Sequence, residues 1–129
     1  MKHITNIAGG LLGAAFVAFS LLYFFKFRGI PPQAPEGSPI MHFYQAFGPT
    51  GYMDFVKVCE LIGGILCAIP LTRNIGLLFL GPVILNIIAY HAFVDSPASL
   101  VNPVLILFCL LAAYLLWTAR AKFTALLNH

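Results

Sequence analysis

Apolar residues run almost without interruption over four stretches, and polar breaks of unequal length separate them. The runs cover about 4–25, 53–69, 75–94 and 100–118. At 1.5 Å per residue, runs of roughly 17 to 22 residues extend about 26 to 33 Å, enough to cross a hydrocarbon core. Pro70 and the polar Thr72-Arg73-Asn74 end the second run, and Asp95-Ser96-Pro97 ends the third. Both breaks are short, so runs two and three, and runs three and four, should form antiparallel hairpins. The pattern predicts an all-α polytopic membrane protein, a four-transmembrane-helix up-down bundle filling residues 1–129 as one domain.

The break between the first two runs, 26–52, is of another kind. From Ile30 to Tyr52 it carries five prolines (Pro31, Pro32, Pro35, Pro39, Pro49) and three glycines. A loop this long is unusual in a compact domain and often carries function. Its middle, 40–47, is apolar and aromatic with His42, Tyr44 and Gln45. This segment reads either as a short interfacial or re-entrant helix capping the bundle, or as aromatic residues anchoring at headgroup level. Lys2 ahead of an apolar run resembles a signal peptide. The run outlasts an h-region, however, and ends in Lys26 and Arg28, as an uncleaved first helix would.

Composition narrows the class. The chain is 60% hydrophobic and 9% charged, with a mean hydropathy of +0.93, which excludes a disordered or ordinary soluble chain. A net charge of +3 is too small to argue for nucleic acid, and the expected surroundings are membrane lipids. Lys2, Arg73, Arg120 and Lys122 fall on one predicted side, and Lys26 and Arg28 on the other. That distribution predicts both termini, His129 included, in the cytoplasm and the 26–52 loop outside. Cys59, Cys67 and Cys109 lie within apolar runs and form no C-x-x-C, so they read as small buried hydrophobes rather than a disulfide or zinc framework. Gly9 to Gly13 and Gly10-Ala14-Ala18 are small-residue steps that let helix backbones approach.

Ionisable residues inside such runs are rare and usually face a protein interior. Lys57 and Glu60 sit three apart on one face of the second run, where they can neutralise each other. They form a stripe with Gly64 and Cys67. Antiparallel pairing brings Asn86, Tyr90 and His91 of the third run, and Ser20 and Tyr23 of the first, to a similar depth. The pair reads equally as a proton-transfer or anion site and as a structural ion pair fixing register. His91, about 100° round the helix from Tyr90, is not assured of the same face. A metal or haem ligand would need a partner, and His42 is the one outer-side histidine, with no spacing rule to support the two. The ligand-binding or proton-transfer candidates are therefore Lys57, Glu60, Tyr90, His91, Asn86 and His42, with no metal assigned. Pro82 is expected to break or kink the third helix by freeing the Leu78 carbonyl.

The run Lys57-Val-Cys-Glu60-Leu-Ile-Gly63-Gly64-Ile-Leu, a short turn with Thr72-Arg73, and a span ending in Tyr90-His91-Ala92-Phe93 together resemble the DoxX-like family of small four-helix bacterial membrane proteins. The resemblance covers about 5–118 and is strongest over 53–94. It implies a four-span inner-membrane subunit associated with redox chemistry and with membrane or redox partner proteins. Lys57, Glu60 and Gly64 match the second-helix signature, and His91 a frequent histidine at the end of the third. The proline-rich loop departs from the family pattern. On that resemblance the chain is expected to be a redox-associated accessory subunit holding a small hydrophobic ligand, such as a quinone, near the Lys/Glu/His cluster. The alternatives are a non-enzymatic carrier of a lipid or weak acid, and a purely structural membrane partner.

Overall fold

The computed structural model describes residues 2–128; His129 lies outside them. Among the described residues the chain is all-helical, without a strand. Six α-helices follow in order: α1 (Lys2–Leu22), α2 (Pro39–Phe47), α3 (Tyr52–Ala68), α4 (Arg73–Ala89), α5 (Pro103–Thr118) and α6 (Arg120–Thr124). One π turn, closed by i to i+5 hydrogen bonds, extends α1 through Tyr23–Phe27, and a second extends α4 through Tyr90–Val94. Helix α2 starts as its sequence dictates. Ser38 caps it by accepting from the Met41 amide, and Pro39 occupies the first turn, where no donor is needed.

Two helices are long and apolar enough to cross a membrane, His3–Phe27 and Pro70–Val94. A third qualifies if α5 and the segment to Leu127, bent 69° from it, count as one. The expected second span, α3, has only 17 residues and carries Asp54, Lys57 and Glu60. Among the described residues the protein is therefore helical, with two to three helices long and apolar enough to span a membrane. Outward faces are apolar throughout, with Leu11, Leu85 and Leu110 each more than half exposed. Such a surface suits a lipid environment and not water. Pro82 lies inside α4 without interrupting the helix.

Glycine contacts set the helix packing. Helix α3 is central, pressed between α1 and α4. A Cβ on Gly13 would collide with the Gly64 carbonyl oxygen and come within 2.7 Å of the Ala68 amide nitrogen. A Cβ on Gly76 would meet the Cys67 nitrogen and lie 2.7 Å from the Gly63 oxygen. The three backbones thus touch through small residues, the packing available where no hydrophobic effect drives helices together. Ala8, Leu12, Phe16 and Ser20, four residues apart, form the buried stripe of α1. Helix α5 packs more openly. It meets α1 through Phe108, whose ring centroid lies 5.1 Å from that of Phe16, and through Tyr114, whose hydroxyl is 3.2 Å from Thr5 Oγ1.

Candidate functional site

Charge is buried against α3 at two levels, and in different ways. At the end nearest the 70–72 turn, Arg73 is buried. Its Nε donates to the Cys67 carbonyl at 2.8 Å, its Nη2 to the Ala68 carbonyl at 3.5 Å and its Nη1 to Asn6 Oδ1 at 2.9 Å. Thr72 Oγ1 donates to the Leu66 carbonyl at 2.9 Å. The last carbonyls of α3, left without partners by helix geometry, are thereby satisfied, and the cation faces the negative end of the helix dipole. Gly9 makes room, since a Cβ there would occupy the position of the Arg73 guanidinium. The sequence reading took Arg73 for a flanking charge. Asn6 and Gly9, a polar residue and a small one at the matching depth of α1, were the signals that could have revealed it.

At the middle of α3 Lys57 Nζ lies 3.1 Å from Glu60 Oε2. Glu60 is 4% exposed, whereas the Lys57 side chain keeps 22% of its surface. The contact is close enough for ion pairing but lacks hydrogen-bond geometry, so Glu60 Oε2 remains a buried acceptor with no hydrogen bond. Ser20 Oγ is also buried without one. The contacts of α1 with Gly64 and of Tyr23 with Lys57 place Ser20 near the level of Glu60. Of these two buried oxygens Glu60 Oε2 borders a cavity, whereas Ser20 is not among the residues that line it.

Lys57 and Glu60 line a cavity of about 400 Å³. Asn86, Tyr90 and His91 line it too, so five of the six candidate residues share one hollow. His42 is not among its lining residues; it lies exposed on α2. Helix α2 covers the hollow with an aromatic roof. The Phe43 ring lies 5.1 Å from that of Tyr90, the Phe47 ring 4.8 Å from that of Tyr52, and the Tyr44 hydroxyl donates to the Gly29 carbonyl at 3.4 Å. His91 shares the hollow with Tyr90 because a π turn begins there and opens the helix. Its Nδ1 lies 2.9 Å from the Ile87 carbonyl, which can only accept, so Nδ1 carries a proton. Both π turns, at Tyr23–Phe27 and Tyr90–Val94, border the hollow, and such turns recur at functional positions.

Sequence reasoning missed the clasp at the mouth. Arg28 forms a forked pair with Asp54, Nη2 to Oδ2 at 2.8 Å and Nε to Oδ1 at 3.0 Å. The Tyr23 hydroxyl donates to the same Asp54 Oδ1 at 3.0 Å. Hydrogen bonding and attraction from Asp54 raise the Arg28 guanidinium above the ordinary arginine range. Lys57 Nζ lies 5.7 Å from the centre of the Tyr23 ring, within cation–π range. The i, i+3, i+6 spacing of Asp54, Lys57 and Glu60 was the available signal: one face of α3 carries alternating charge.

No family model matches the chain, and neither a curated protein nor a solved structure is significantly similar to it. The site must therefore be read from its own chemistry. It offers a cation, a buried carboxylate, a histidine and a wall of aromatic rings, a set suited to a small, largely apolar molecule with one polar end.

Proposed function

We propose that the protein is a DoxX-like four-span membrane protein of the bacterial inner membrane, which holds a small hydrophobic carbonyl ligand such as a quinone and serves a redox partner. The carrying observation is Glu60: a buried carboxylate with no hydrogen bond to Oε2, next to a lysine, in the wall of an aromatic-lined cavity. In this reading Lys57 donates to a ring carbonyl of the oxidised ligand, and Glu60 accepts from a hydroxyl of the reduced form. His91, which lines the same cavity, orients the ring. The aromatic roof excludes water and stacks on the ligand. Helix α3 becomes the fourth span, shorter than its neighbours and pressed between two of them, with Glu60 turned into the bundle.

Extraction of the purified protein followed by mass spectrometry tests the ligand. A stoichiometric quinone supports the reading. A lipid or weak acid would favour a carrier that uses Lys57 and Glu60 as its proton site, and an empty protein would favour a structural partner. Reporter fusions test the topology. Fusions after Asn128 and within 30–52 should report opposite compartments, the first cytoplasmic, and agreement between them would overturn the four-span arrangement.

A further inference from the structure

A second hollow, about 540 Å³, lies between α1 and α5. It shares Tyr23, Phe27, Lys57, Glu60, Ile87 and His91 with the roofed cavity, so the two hollows adjoin along these side chains. Its polarity is one-sided. Lys57, Glu60 and His91 lie at the shared wall, with Asn102 at the start of α5. The rest of the lining is aromatic or aliphatic and reaches inward to Phe16 and Leu105, both buried. The open packing of α5 against α1 creates the space, because Phe108 props the two helices apart.

We propose that this second hollow receives the long apolar tail of the ligand whose polar ring occupies the roofed cavity. The proposal rests on the carbonyl-ligand reading above and narrows it to tailed, lipid-like compounds. A polar wall shared by two hollows, one roofed by α2 and the other lined by apolar side chains of α1 and α5, suits an amphiphile. The ring sits by Lys57 and Glu60, and the tail runs past Leu22 and Val104. Each hollow falls in the size range of a small-molecule site. Entry from the bilayer would then need no opening of the roof.

The test uses a benzoquinone whose decyl tail ends in a photoreactive diazirine, added to the full-length protein in bilayer nanodiscs. Labelling should fall on the second half of α1 and the first half of α5. It should be competed by an excess of the same ring without a tail. Filling the hollow with indole, by Val104→Trp or independently by Leu22→Trp, should cut that labelling about tenfold, as overpacking a filled space does. Melting curves of both variants report whether the fold persists; if neither variant folds, the labelling map of the unaltered protein decides. Competed labelling on α2 or at the mouth near Tyr52 would overturn the tail site while keeping the ring site. Labelling that the tailless ring does not compete would mark a lipid-filled crevice only. No specific labelling would remove the carbonyl-ligand reading together with this inference.

Discussion

Two buried charges lie against α3, Arg73 of α4 at its C-terminal end and its own Glu60 at mid-helix, and the two are treated in opposite ways. Arg73 is met by three acceptors, and Gly9 vacates the space its guanidinium fills. Glu60 has one ion-pair partner, an oxygen without a hydrogen bond, and hollows on both sides. A buried charge whose partners are all supplied by its own chain is explained by folding. One left partly unsatisfied beside an open space has capacity for something else. The contrast extends to the backbone. Glycines bring helices into contact near Arg73, while π turns and a propped-open α5 make room near Glu60.

The comparison can be broken by attacking each region in turn. The largest effect should come from Gly13→Val, which drives a side chain into the backbone of α3. We expect a loss of more than about 3 kcal/mol, or no folded protein, in detergent melting experiments. A variant that melts normally would show that α1 and α3 are not in backbone contact.

Arg73→Leu comes next. It leaves the buried Cys67 carbonyl and the half-buried Ala68 carbonyl without that donor, frees the exposed Asn6, and should cost about 2–3 kcal/mol. Arg73→Lys should recover only part of that, because one ammonium cannot reproduce the guanidinium fork. Ligand retention beside Glu60 should not change in Arg73→Lys, and mass spectrometry of extracted ligand would reveal any coupling.

Glu60→Gln should reverse the balance between stability and binding. Lys57 keeps some solvent contact, so the cost to folding should be about 1–2 kcal/mol. Ligand occupancy should fall by more than about tenfold, since a charged acceptor is lost. The doubly reversed Lys57→Glu, Glu60→Lys protein should regain part of the stability relative to its singles. Strictly additive losses across that cycle would argue against direct pairing.

The smallest effect on melting should come from Asp54→Asn. The Arg28–Asp54 clasp is exposed, and such pairs contribute little to global stability. Its loss should instead appear locally, as faster amide exchange over 29–48, where the roof would be held less firmly. Unchanged exchange there would show that the clasp does not hold the roof.

Much of this was legible in the sequence because hydrophobic runs, prolines and short polar breaks act locally. The four apolar runs became helices with ends within about three residues of their expected positions, the scatter usual for such boundaries. The helix in the long loop could be read from Ser38-Pro39 and the aromatic run behind it. The i,i+3 spacing of Lys57 and Glu60 was enough to pair them, because helix geometry alone brings such residues together. Pro82 does not break the helix as expected: proline removes one hydrogen bond, but the neighbouring turns and the packing of α4 against α3 carry the helix through it.

What the sequence by itself determined, then, is the set of helices, their apolar outward faces and the pairing of Lys57 with Glu60. Each depends on residues a few positions apart. Only the tertiary structure decided that Arg73 turns inward to close the end of α3, that Asp54 clasps Arg28 from 26 residues away, and that α5 stands off to leave a second hollow. It also left His42 outside the cavity that the other candidates share. These outcomes depend on which helix faces which and at what depth. That register is set by glycine contacts between distant segments, and periodicity within one helix carries no record of it.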